Sequence, residues 1–180
     1  PGGTVTIASS NPDPSGVATT QWTPTLEASL ANLVLPGTDV IIIRRVGDEG
    51  LRVMEPTNDG AQLFIESTPN IKQDDILLVT DCKKASLFQV INSPNPTGPS
   101  MNISHSNAGG HTPGNNGANW ITGGGGGGGC PLDSVKYEAD GTSSVSRFSV
   151  SAFYLGRNTA GNVALFTTSI GTTGAIQPVE

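Results

Sequence analysis

The sequence predicts a mainly β chain of the α+β class, an antiparallel sheet with one short helix and a long irregular loop, and three observations carry that expectation. Short apolar runs recur at close intervals with Gly, Pro, Asn and Asp between them. Phe148, Val150, Ala152 and Tyr154 alternate with Arg147, Ser149, Ser151 and Phe153, the period of a strand with one clearly apolar face. The chain holds 24 Gly and 13 Pro and only 13% charged residues, a turn-rich composition.

The elements follow in order. Residues 1–24 are rich in Pro, Ser, Thr and Gly and read as an extended or loop segment. Pro24 before residues 25–35, Glu27 near their start and the spacing of Leu26, Leu30, Leu33 and Val34 predict a helix that Pro36-Gly37 stops. Strands are expected at Asp39–Val46, 51–55, Gln62–Glu66, 75–80 and 85–92, separated by turn residues such as Gly47-Asp48-Glu49-Gly50 and Asn58-Asp59-Gly60. This order reads as a meander. Residues 93–129 have almost no apolar period and read as a long Gly/Pro/Asn-rich loop. Residues 147–155 and 162–169 then form a hairpin with its turn near residues 159–161. The expected sheet core contains Ile41, Ile43, Leu78, Phe88, Phe148 and Val150, and residues 1–180 are read as a single globular domain.

A formal net charge of −6, with no basic cluster longer than Arg44-Arg45 or Lys83-Lys84, argues against nucleic acid or anionic lipid as a partner. No run approaches the ~18 to 20 apolar residues of a membrane span. The chain opens on Pro1-Gly2-Gly3 and stops on Pro178-Val179-Glu180, which predicts either a processed or truncated piece or a chain whose start is not resolved.

Cys82 stands between Asp81 and Lys83-Lys84, and the other cysteine is Cys130. A nucleophile needs a base, and a zinc site needs closely paired ligands; His105 and His111 both lie in the shapeless stretch at the wrong spacing for either. A disulfide between Cys82 and Cys130 is the expected reading, with pairing to an outside cysteine or free thiols left open. Gly123–Gly129 lacks the Gly-Lys-Ser/Thr of a phosphate loop and reads as a linker. Asp48-Glu49 and Asp74-Asp75 lack calcium-loop spacing and read as solvated turns. Asn102-Ile103-Ser104 is a formal glycosylation sequon. No catalytic, metal or cofactor-binding residues are expected, and no cofactor: the chain reads as a non-enzyme.

Three segments carry a resemblance. Pro36-Gly37-Thr38-Asp39-Val40-Ile41-Ile42-Ile43-Arg44-Arg45, then the stretch ILLVTDCKKASLFQV over residues 76–90, then Phe153-Tyr154-Leu155-Gly156 resemble the PilW family of type IV pilus minor pilins. The middle segment is the most specific, and the likeness runs from about residue 28 to residue 180 with the loop omitted. The resemblance implies a bacterial envelope protein, made with an N-terminal hydrophobic helix and assembled with other pilin subunits into a filament or tip complex, periplasm-facing and then extracellular. That helix is not among these residues, and membrane contact would run only through it. Two alternatives accompany this reading: a type II secretion pseudopilin, and a carbohydrate- or surface-binding adhesin module in which Trp120, His111 and the Asn-rich loop meet a ligand.

Overall fold

The structure, a computed structural model, describes residues 3–10, 22–26, 28–55, 62–106, 111, 114–115 and 137–170. The fold is mainly β and antiparallel, with one short helix. The chain divides into two compact units.

The first unit takes residues 46–148 as its main span. It contains β4 (Leu51–Arg52), β5 (Gln62–Glu66), β6 (Ile76–Thr80), β7 (Ala85–Gln89), β8 (Ser100–Ser104) and the first part of β9 (Ser144–Arg157). Strand β6 sits between β7 and β9, with Leu77 opposite Phe88 and Val79 opposite Val145; β4 also pairs with β9, and β5 pairs with β8. Leu77, Val79, Phe88 and Val145 point the same way because partners across an antiparallel pair share a face, and all four are fully buried. Leu63 and Ile65 of β5 and Met101 and Ile103 of β8 close the same core. Each such side chain stabilises the unit by about 1.5–3 kcal/mol through the apolar area it removes from water.

The second unit contains β1 (Gly3–Ser10), β2 (Trp22–Thr23), helix α1 (Ala28–Ala31), β3 (Asp39–Val46) up to Arg45, β9 from Ser149, and β10 (Val163–Ile170). Strand β1 pairs with β2 and β3, and β9 neighbours β3 and pairs with β10. Even-numbered positions face its core: Ala8 opposite Val40, and Tyr154 opposite Phe166 with the two rings stacked 5.6 Å apart. Leu26, Leu30 and Val34 cover that face at a spacing of four, and the Trp22 indole N–H donates to the Thr38 carbonyl at 3.2 Å.

Several expectations need correction. Residues 1–24 are not all loop, since β1 runs beside β3 from Gly3 to Ser9, and the helix shrinks from residues 25–35 to Ala28–Ala31. Residues 93–129 are not all irregular: β8 pairs with β5 along its whole length, because Met101 and Ile103 alternate with polar Ser100, Asn102 and Ser104. The strand order is no meander, for β5 skips to β8 and β4 and β6 both pair with β9. The expected strand over 51–55 is β4 plus a single bridge from Val53 to Ile65. In the core, Phe88 holds its expected place, but β3 buries Val40 and Ile42 while Ile41 is exposed and Ile43 half-buried on the other face. Leu78 is half-buried opposite Leu87, and Phe148 and Val150 are half-buried, Val150 against the second unit's core. A run apolar at both parities cannot say which parity the core will take.

Candidate functional site

The β6–β7 hairpin turns through Asp81-Cys82-Lys83-Lys84. Its shape comes from two side chains. The Thr80 hydroxyl donates to the Lys84 carbonyl at 2.9 Å and accepts the Cys82 N–H at 3.1 Å. Asp81 Oδ1 accepts the Lys83 and Lys84 N–H groups at 3.0 and 2.9 Å. Desolvation, the largest single influence, raises the Asp81 pKa, but those N–H donors and the Lys84 charge together outweigh it and hold the carboxyl below its ordinary value. The turn sets Cys82 at φ 66°, the left-handed region, and leaves it exposed with its thiol free. Cys130 lies outside the described residues. Near this turn, Tyr137 is buried with its hydroxyl 2.9 Å from the Ser86 hydroxyl, and the Lys84 ammonium stands 5.2 Å from its ring centre. Burial raises the Tyr137 pKa; the Ser86 hydrogen bond opposes that, and the Asp81 carboxylate reinforces it.

A second cluster forms where β7 ends. Asp74, at φ 71°, meets His111 with Oδ1 and Nδ1 2.7 Å apart. The buried Gln89 side chain donates to the Asp74 carbonyl and carboxylate at 3.4 Å each, and accepts the Gly114 N–H at 2.7 Å. Asn115 completes the network through its amide, which bonds both backbone groups of Gln89. Two amides and a backbone N–H thus surround one acid–imidazole pair and join it to the sheet. His105 goes elsewhere, buried with its ring 5.5 Å from that of Phe88. Trp120, the expected sugar-stacking residue, lies outside the described residues. Asp75 is not a solvated turn residue: it is buried, accepting the Lys72 N–H at 2.9 Å and pairing with Arg147 at 3.1 Å. Arg147 also donates to the Asn70 carbonyl. Glu49 stays exposed, with its carboxylate 3.4 Å from the Arg147 N–H. Among the described residues no group of three or more His, Cys, Asp or Glu could hold a metal.

The third feature is an apolar sheet face in the second unit. Val5 pairs with Ile43 and Ile7 with Ile41; Leu165 pairs with Leu155 and Thr167 with Phe153. Arg45 of β3 donates to Ser149 of β9 at 3.1 Å, so the odd-numbered side chains of these strands share one face, opposite the core. Val5, Ile7, Val163 and Leu165 are 63, 57, 56 and 63% exposed, and Ile41 and Leu155 are 41 and 36% exposed. The alternation of Val5 and Ile7 in GTVTIASS was the signal for β1, masked in the sequence by the Ser and Thr around it. No described helix is long and apolar enough to cross a membrane. No family model, curated protein or solved structure matches the chain.

Proposed function

We propose that the chain is the globular head of a type IV pilus subunit of the PilW minor-pilin type, a non-catalytic protein that works by assembling with other pilin subunits. The observation that carries this reading is the odd-numbered face of the second unit, where six apolar side chains are more than a third exposed on an antiparallel sheet. An exposed apolar patch of this kind is the mark of a surface made for contact. The three resembling segments support the same reading through their structural roles. Pro36-Gly37 turns the chain into β3, residues 76–90 form the β6–β7 hairpin and its core residues, and Gly156 lets β9 lie close to the Leu33 carbonyl and the Phe166 ring. On this reading Cys82 and Cys130 form a structural disulfide in an oxidising envelope compartment.

The test is genetic. Deleting the gene in a piliated host should lower the yield of sheared surface pili and shrink twitching zones, and expression of the full-length protein should restore both. Unchanged piliation and motility would overturn the reading.

A further inference from the structure

We propose that the odd-numbered face of the second unit's sheet is a two-fold self-association surface, covered by a second copy of this chain stacked face to face. The inference deepens the reading of the chain as an assembling subunit and rests on it for its biological setting.

Size is the first argument. The six exposed side chains together present on the order of 500 Å² of apolar surface, near the upper end of what a monomer ordinarily shows. A stable interface takes about 800 Å² from each partner, a little over half of it apolar and concentrated at the centre. The face carries apolar side chains on all four strands. Ile41, Ile43 and Phe153 lie between the β1 and β10 apolar pairs, and Ser9, Ser149, Ser151 and Ser169 stand among the polar positions around them.

Charge is the second argument, and it selects the partner. Asp39 and Arg45 are both odd-numbered and both exposed, at opposite ends of β3 on this one face. A two-fold axis lying between the stacked sheets over the middle of β3, at right angles to the strand, brings Asp39 of one copy to Arg45 of the partner subunit, repeats the contact symmetrically, and sets Ile7 and Ile41 against the partner's Val5 and the partner's Ile43. One strand thus carries both halves of a complementary pair. Two sheets stacked with their strands aligned are an ordinary packing for antiparallel β proteins.

The experiment is sedimentation velocity on the purified chain over a wide concentration range, with circular dichroism as the check on folding. A concentration-dependent dimer is expected. Ile7→Asp should raise its dissociation constant at least tenfold while the spectrum stays unchanged. Asp39→Arg alone should weaken it several-fold, and Asp39→Arg with Arg45→Asp should bring it back, because the swapped charges again meet their opposites. A chain that stays monomeric up to its solubility limit overturns the proposal, as does a dimer indifferent to Ile7→Asp and to the charge swap. A dimer from a gene whose loss leaves piliation intact would sink the pilus reading and leave this one standing.

Discussion

Asn115 lies against the end of β7 as a strand would: its side-chain Oδ1 accepts the Gln89 N–H at 2.7 Å, and its Nδ2 donates to the Gln89 carbonyl at 2.7 Å. One amide therefore satisfies both backbone groups of a fully buried residue and anchors a stretch that sequence alone reads as shapeless. Asn115→Leu should leave both groups unpaired in the interior. The expected loss is about 2–4 kcal/mol of unfolding free energy, read from urea denaturation. A variant as stable as the parent would show that the segment merely rests on the sheet.

The face assignment of β3 is open to a paired test. Ile42→Asp should put an unpaired carboxylate into the second unit's core and cost several kcal/mol, enough to unfold it. Ile41→Asp, one residue away on the exposed face, should change thermal stability by less than about 1 kcal/mol at dilute concentration. Circular dichroism melts of the two variants decide it, and the reverse order would invert the sheet.

Gly156 is buried opposite Ala164, and a methyl group there would stand 3.0 Å from the Leu33 carbonyl oxygen and from two carbons of the Phe166 ring. Gly156→Ala should therefore cost about 1–3 kcal/mol through overpacking. Gly141, with open space around it but φ 85°, provides the contrasting control: strain without a clash. Melting temperatures of both alanine variants separate the two causes.

The chain has two tyrosines, and burial raises the pKa of both Tyr137 and Tyr154. A phenol kept neutral by the fold contributes stability that is intact below its ordinary value of about 10, and that is lost as pH climbs through the raised folded value. Spectrophotometric titration should show little phenolate until above pH ~10, then a steep rise together with loss of structure. A tyrosine titrating at its ordinary value in the folded chain would contradict the burial of its ring.

For the cysteines, the expected outcome is one cross-linked peptide joining Cys82 to Cys130 in non-reducing maps of protein taken from an oxidising compartment. Cys82 is exposed on its turn, and Cys130 lies outside the described residues. Reduction should lower stability by about 4 kcal/mol in the chain-entropy model. Two thiols open to alkylation in that protein would end the idea.

Strands β3 and β5 were legible to the residue, because both are apolar runs closed off by Gly, Asp or Asn. The turn after β9 was legible too: Asn158 accepts the Ala160 and Asn162 N–H groups at 3.1 and 3.0 Å, and Gly161 takes φ 81°. What escaped depended on partners distant in sequence. Strand β8 has only Met101 and Ile103 to announce it, and its reason to be a strand is β5, where Ile65 and Leu63 stand opposite them. The helix over 25–35 keeps its inward spacing at Leu26, Leu30 and Val34 yet holds only one helical turn, since packing sets its length and propensity does not. The Asp74–His111 contact joins residues whose sequence neighbours gave no hint of it.

Strand β9 changes its inward parity along its length: Val145 is buried near the start, whereas Ala152, Tyr154 and Gly156 are buried farther on. A saturation-mutagenesis scan of this strand would record a phase slip, with intolerance falling on an odd position first and on even positions later. Any hydrophobicity profile averaged over Ser144–Arg157 cancels part of its own signal, and alignments that slide a gap through residues 146–151 trade one inside for the other. For comparing distant sequences, the two halves of β9 are best scored as separate words.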